Sequence, residues 1–234
     1  TVYCSAKSYP HRQSVYKNAD LKYVPLDANG SQSILYDIVS LIKATKKSDV
    51  ILILGVSGCC FLPIYRLFLK KRLVINIDGL EHRREKWGKY AKAFLKFSEK
   101  MAVKYADAVI ADNKGIQDYV REEYGKEAEL IAYGGDHVLC DIADVEEQIL
   151  EKYGLKNICY SFSLCRIEPE NNVHVILEAF KASGKELFFV GNWNRSPYGK
   201  YLLEKYAGYG NIHLLSPIYD VKTLNVLRSH CSFY

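Results

Sequence analysis

Two short stretches hold residue types at a spacing that could do chemistry. The first is CRIEPENN, residues 165–172. It follows NICYSF, an apolar run that carries no charge. Arg166 sets a guanidinium at the end of that run, and Asn171 or Asn172 is suited to cap the helix that follows. A helix N-terminus beside a guanidinium makes an anion site fit for a diphosphate. Glu168 and Glu170 could accept hydroxyls, for instance those of a sugar. The bland alternative is an Arg–Glu pair on a surface loop. The second stretch is DGLEH, residues 78–82. Asp78, Glu81 and His82 bring two carboxylates and an imidazole into one turn, which suits hydroxyl recognition or proton handling. Here the alternative is that the two acids simply cap the next helix.

Other loops carry weaker signals. VSGCC, with Gly55 just before it and Gly58 inside it, is at best half of a phosphate loop. Neither GxGxxG nor GxxxxGK[ST] occurs, which weighs against a nicotinamide dehydrogenase or a P-loop NTPase. NWNRSPYG carries Trp193 and Arg195, and SPIYD follows a further apolar run. Both are expected to face the same cleft as CRIEPENN.

These loops need elements to hold them. Short Val- and Ile-rich runs read as buried parallel strands: TVYC, LKYVPL, DVILILG, RLVINID, DAVIAD and AELIAY, then NICYSFSL, ELFFVGN and NIHLL. Helical patterns fall between most of them, at 31–46, 59–69, 84–105 and 114–124, then 145–153, 173–183, 198–207 and 220–229. Such alternation predicts an α/β protein with parallel sheets and right-handed crossovers. Ligands of open parallel sheets bind at the carboxyl ends of the strands, where the chemical loops lie. The alternation pauses over residues 133–144, so the domains are placed at 1–136 and 137–234, two Rossmann-like folds. Both ends read as cut through strands, which makes the chain a fragment with both domains incomplete.

Composition narrows the function. About half of the 234 residues are apolar and a quarter are charged, as in ordinary globular proteins. No apolar run reaches the roughly 18 residues that span a bilayer. The seven cysteines form no CxxC pair, which favours reduced, buried thiols in a cytosolic protein over a zinc or disulfide framework. The sequons at Asn29 and Asn194 carry little weight in that setting. The net charge is +5, but residues 83–104 alone hold +6 and leave the remainder at −1. A general nucleic-acid coat is therefore excluded. In the helical pattern of that segment, Trp87, Ala91, Phe94, Met101 and Tyr105 share one face, and Lys89, Lys92, Lys96 and Lys100 lie opposite. The lysine face is either solvated or set against anionic lipid headgroups.

The run from NIDGLEHRREKWGKYAKAF through LIAYGGD to CRIEPENNVHVILEAF resembles bacterial family 4 glycosyltransferases, in the branch similar to rhamnosyltransferases of cell-surface polysaccharide synthesis. The resemblance covers nearly the whole chain. It implies a GT-B fold, with an acceptor-side amino domain, a nucleotide-sugar-binding carboxyl domain and a cleft between them. It implies retaining transfer without a metal or other cofactor, a donor such as dTDP-rhamnose, and a lipid-linked saccharide acceptor. A cytoplasmic protein, peripheral at the inner membrane face, is expected. By position, Arg166 would contact the donor diphosphate, with Glu168, Asn171 and Asn172 beside it. Gly191 would line the donor cleft, and Ile218 and Tyr219 would lie near the base. Relatives often carry a lysine where Asn171 stands, and a histidine where Asp78 stands. The family's first glycine-rich loop and its Glu-x7-Glu motif are absent, so this fragment is expected to fold in large part but transfer little sugar. The rival readings are a GT-B nucleotide-sugar epimerase and a non-catalytic nucleotide- or membrane-binding module.

Overall fold

The computed structural model describes residues 1–9, 11–85 and 87–234, with the backbone alone at residue 137. Lys86 of the basic segment lies outside the described residues. The chain divides into two units, Thr1–Tyr133 and Gly134–Tyr234. The division falls three residues before the expected boundary, inside the stretch where the alternation pauses.

In the first unit, β1 (Val2–Ser5) pairs in parallel with β3 (Ala19–Val24). A short strand missed in the sequence, β2 (Val15–Tyr16), pairs antiparallel with β3. The hairpin turns at Lys17 and Asn18, both left-handed at φ 45° and 64°, as a two-residue turn with matching twist requires. Helix α1 (Ser33–Thr45) leads to β4 (Val50–Leu54), α2 (Leu62–Phe68) to β5 (Arg72–Ile77), and α3 (Lys89–Tyr105) to β6 (Ala108–Ala111). Then α4 (Lys114–Tyr124) leads to β7 (Glu129–Leu130). The sheet β4-β5-β6-β7 is parallel throughout. Ile51, Leu73, Ile75, Ile77 and Val109 form its core with Leu41, Leu62, Ala102 and Val120 of the helices. Helix α4 starts where the Asn113 side chain accepts the amide of Ile116 at 3.0 Å, and stops at left-handed Gly125.

The second unit runs α5 (Glu146–Lys152), β8 (Tyr160–Leu164), α6 (Val173–Ser183), β9 (Glu186–Val190), α7 (Pro197–Tyr206), β10 (Ile212–Leu215) and α8 (Val221–Ser229). Its sheet, β10-β9-β8, is also parallel. The last residues add a bridge beside β8, where Phe162 donates its amide to the carbonyl of Phe233 at 2.8 Å.

Three expectations need correction. The basic helix begins at Lys89, not at residue 84, because residues 81–83 form a separate 3-10 turn and extended Gly88 precedes the helix. Its buried residues are Leu95, Ser98, Glu99, Met101, Ala102 and Val103, a face rotated from the expected one. The cysteines are all free thiols, but Cys59 alone is buried, and Cys140 and Cys159 are exposed.

Candidate functional site

A cavity of about 400 Å³ opens where the carboxyl ends of β8, β9 and β10 meet. Because the three strands are parallel and adjacent, their following loops converge on one edge of the sheet. From the first loop come Arg166 and Glu168, from the second Gly191 and Arg195, and from the third Ile218 and Tyr219.

Two guanidiniums thus reach one concavity. The Arg166 side chain is 63% exposed and stands 4.0 Å from the Glu168 carboxylate. Arg195 has no ion-pair partner among the described residues, so its charge is available to a ligand. Arg195 is held by its neighbours. The buried Trp193 donates its indole N–H to the carbonyl of Leu215 at 2.9 Å and sits edge-on to Phe189. Ser196 caps α7 by accepting the amide of Gly199 at 3.1 Å. Gly199 must be glycine, since a Cβ there would lie 2.3 Å from the carbonyl oxygen of Trp193. A Cys165 thiol completes the wall, and burial raises its pKa despite the adjacent Arg166.

Asn171 and Asn172 are placed otherwise than expected. Neither lines the cavity. Asn171 donates its side-chain amide to the Arg166 carbonyl at 2.7 Å, so it braces the loop that carries the arginine. Asn172 stands at the cap position of α6 in a left-handed conformation, φ 53°, and its side chain makes no capping bond. The amide of His174, the second residue of that helix, is taken by the Tyr198 hydroxyl at 3.2 Å. Among the residues lining the cavity, the positive charge therefore comes from Arg166 and Arg195.

In the first unit, the loop after β5 does not hold the expected trio together. Asp78 is exposed. Glu81 pairs with Arg84 at 2.6 Å and accepts the Trp87 indole N–H at 3.2 Å, which braces the loop. His82 turns inward, its side chain 12% exposed, with Nδ1 2.9 Å from Glu99. Gly58 of the VSGCC loop packs so closely that a Cβ would lie 2.3 Å from the Cβ of Asp37. Ser57 hydrogen-bonds that same aspartate. A carboxylate at this turn repels phosphate, so the turn is a packing feature.

Of the four lysines set outward by the sequence reading, Lys89 and Lys100 are exposed and Lys92 is half-buried. Lys96 is a correction: it folds against α4, 2.8 Å from Glu123 and bonded to Tyr119. The acids and phenols of α4 hold it there. Among the described residues, no group of three or more His, Cys, Asp or Glu is arranged for a metal ion. Likewise, no helix among them is long and apolar enough to cross a membrane.

Sequence reasoning noticed Arg195 but did not rank it with Arg166, and it passed over Ser196. The signal was present as Ser-Pro-x-Gly, a capping serine followed by a proline at the first helical position.

Residues 1–136 match the family described as Domain of unknown function (DUF1972), and the chain belongs to that family. No curated protein matches it. Among solved structures it is similar to Anabaena Alr3699/HepE in complex with UDP, at 14% identity and TM-score 0.65, over 88% of this chain and 58% of that one. It is similar to sucrose-phosphate synthase from Thermosynechococcus elongatus, at 16% identity and TM-score 0.71, over 95% and 62%. A UDP-N-acetylglucosamine 2-epimerase from Rickettsia bellii is 19% identical, TM-score 0.56, over 92% and 59%. The chain therefore spans 58–62% of the length of these structures. The likeness is one of fold: α/β, with Rossmann-like units of the GT-B class.

Proposed function

Starting from that membership, we propose that the protein is a glycosyltransferase of the family 4 kind, a hexosyltransferase that binds a nucleotide-sugar in the cavity of its second unit. The observation that carries this reading is the pair Arg166 and Arg195 at the carboxyl ends of adjacent parallel strands. Two guanidiniums suit a diphosphate, each able to make bidentate, charge-assisted hydrogen bonds. Glu168 supplies an acceptor for sugar or ribose hydroxyls, and Ile218 and Tyr219 supply an apolar wall for a base. The likeness to Alr3699/HepE, solved with UDP, supports nucleotide binding. In finer detail, the donor is dTDP-rhamnose and transfer is retaining. The acceptor is a lipid-linked saccharide of cell-surface polysaccharide synthesis, and it meets the loop of Asp78, Glu81 and His82. The protein works in the cytoplasm, peripheral at the inner membrane face, with exposed Lys89 and Lys100 toward anionic lipid.

The test is calorimetric titration of the chain with dTDP and UDP. Arg166→Ala and Arg195→Ala should each weaken binding by about tenfold or more, since a hydrogen bond to a charged group contributes about 1.5–3 kcal/mol. Equal affinity in wild type and both variants would remove the basis of the proposal. A second reading, a nucleotide-sugar epimerase, is favoured by the likeness to the Rickettsia bellii enzyme. Incubating the intact protein with dTDP-rhamnose and UDP-N-acetylglucosamine separates the two. A product formed without acceptor marks an epimerase, and one that requires a saccharide acceptor marks a transferase. Tight nucleotide binding with neither product marks a binding module.

A further inference from the structure

Glu99 lies on α3 and is 1% exposed, although its helix is otherwise rich in surface lysine. A buried carboxylate is costly unless it is paired and hydrogen-bonded. Here the partners are explicit. Oε1 accepts the hydroxyl protons of Tyr119 at 2.6 Å and Tyr124 at 2.5 Å, both on α4. The Lys96 ammonium stands 3.6 Å away and is itself paired with Glu123. The Arg83 guanidinium lies over the Tyr119 ring at 5.0 Å. Burial, and then the bond to Glu99, raise the pKa of both tyrosines, so they remain protonated donors. The other oxygen, Oε2, faces Nδ1 of His82 at 2.9 Å.

That arrangement fixes the chemistry of the imidazole. With both tyrosine hydroxyls donating to Oε1, Oε2 is the oxygen left to accept from the ring, and in a neutral His82 that acceptor favours the proton on Nδ1. Nε2 then carries a lone pair, and it has no hydrogen-bond partner among the described residues. His82 belongs to the turn Glu81–Arg83, just after the carboxyl end of β5, on the ligand side of a parallel sheet.

We propose that Glu99 is a positioning residue that holds His82 in its Nδ1–H tautomer, so that Nε2 accepts a hydrogen bond from a saccharide hydroxyl. The proposal deepens the reading of the protein as a sugar-handling enzyme and rests on it for the class of ligand. The buried pair itself stands independently of that reading.

The experiment is long-range proton–nitrogen NMR of the histidine rings in the full chain, at a pH where they are neutral. The wild type should show His82 as the Nδ1–H tautomer. Glu99→Gln keeps the shape and reverses the dipole in a defined way. The two tyrosine hydroxyls continue to donate to the amide oxygen, which turns the amide NH2 toward Nδ1. Nδ1 becomes an acceptor, and the ring should switch to the Nε2–H tautomer. A residue that merely packs would leave the tautomer unchanged. Adding methyl α-L-rhamnopyranoside as the hydroxyl probe should move the wild-type Nε2 resonance saturably, and that acceptor shift should vanish in Glu99→Gln. An Nε2–H ring in wild type, or the same tautomer in both proteins, overturns the positioning role. The expected tautomers without any saturable shift overturn the hydroxyl role. Nucleotide titration of the second-unit cavity is scored separately, so loss of the nucleotide-sugar reading and loss of this one are told apart.

Discussion

Gly191 follows β9 and lines the cavity, and replacing it by alanine tests how tightly that wall is built. A Cβ at this position would lie 2.3 Å from Cδ1 and 2.6 Å from Cγ1 of Ile167, and 3.3 Å from the carbonyl oxygen of Cys165. Gly191 is not among the residues of positive φ, so alanine meets no backbone penalty and the cost comes from space alone. Non-bonded carbons rest about 3.5–4.0 Å apart, so Ile167 must retreat by more than about 1 Å. It has little room, being 5% exposed and packed in the core of its unit. Overpacking of this kind costs about 1–3 kcal/mol. Ile167→Val removes the nearest atom and by itself costs about 0.5–1.5 kcal/mol. The double variant should then be more stable than the two single costs predict, by about 0.5 kcal/mol or more. Hydrogen exchange read on peptides from residues 160–190 isolates this unit from the other. Strict additivity, or an alanine variant as stable as wild type, would refute the claim that the Ile167 side chain is what demands glycine.

Two further outcomes follow from charge. Hydrogen bonds from Lys205 and then Tyr206 hold the Glu178 carboxyl down to about 2, below its ordinary value, and so tie α6 to α7. A depressed acid contributes its stability above the unfolded value, about 4.3, and loses it as pH falls toward about 2. Thermal unfolding midpoints of Glu178→Gln should therefore fall less steeply with acid over that window, and an unchanged slope would count against the linkage. On α3, Tyr90 at 94% exposure and Phe97 at 49% accompany the exposed Lys89 and Lys100. Cosedimentation with phosphatidylglycerol vesicles should weaken with added salt and with Lys89→Gln plus Lys100→Gln. Salt-insensitive binding, or no binding, would reject the membrane face.

Most of the fold was legible because it depends on local pattern. Runs such as VILIL and ELFFV read as strands from their apolar residues; ELFFV is buried as in a covered parallel sheet, whereas Val50, Leu52 and Leu54 leave one face of VILIL exposed. Helix α6 could be bounded to the residue, since Gly184 ends it in a left-handed cap. Failures came where tertiary contact overrides pattern. The hairpin strand β2 is two residues long and turns through Lys-Asn, not the favoured Asn-Gly. The buried stripe of α3 was misjudged because it admits a polar residue and a charge, Ser98 and Glu99. Ser98 is satisfied by the Val56 carbonyl at 2.5 Å and the Cys60 amide at 2.8 Å, partners some forty positions away in sequence. No helical wheel contains those partners.

The site divides along the same line. That Arg166 ends a strand is a statement about neighbours in the chain, and it could be read directly. Where Asn171 points is a statement about a closed loop. A short polar side chain near a helix start offers two uses, capping the helix or bonding a nearby carbonyl, and sequence favours the first. Here the loop folds back far enough for the Arg166 carbonyl to take the amide. The second cation then comes from across the sheet: β8 and β9 are paired from Tyr160–Glu186 to Leu164–Val190, which brings Arg166 and Arg195 to one mouth although 29 positions separate them. Asn171 therefore brings no charge to the cavity, and its second guanidinium comes from the loop after β9, locked by Trp193 and capped by Ser196.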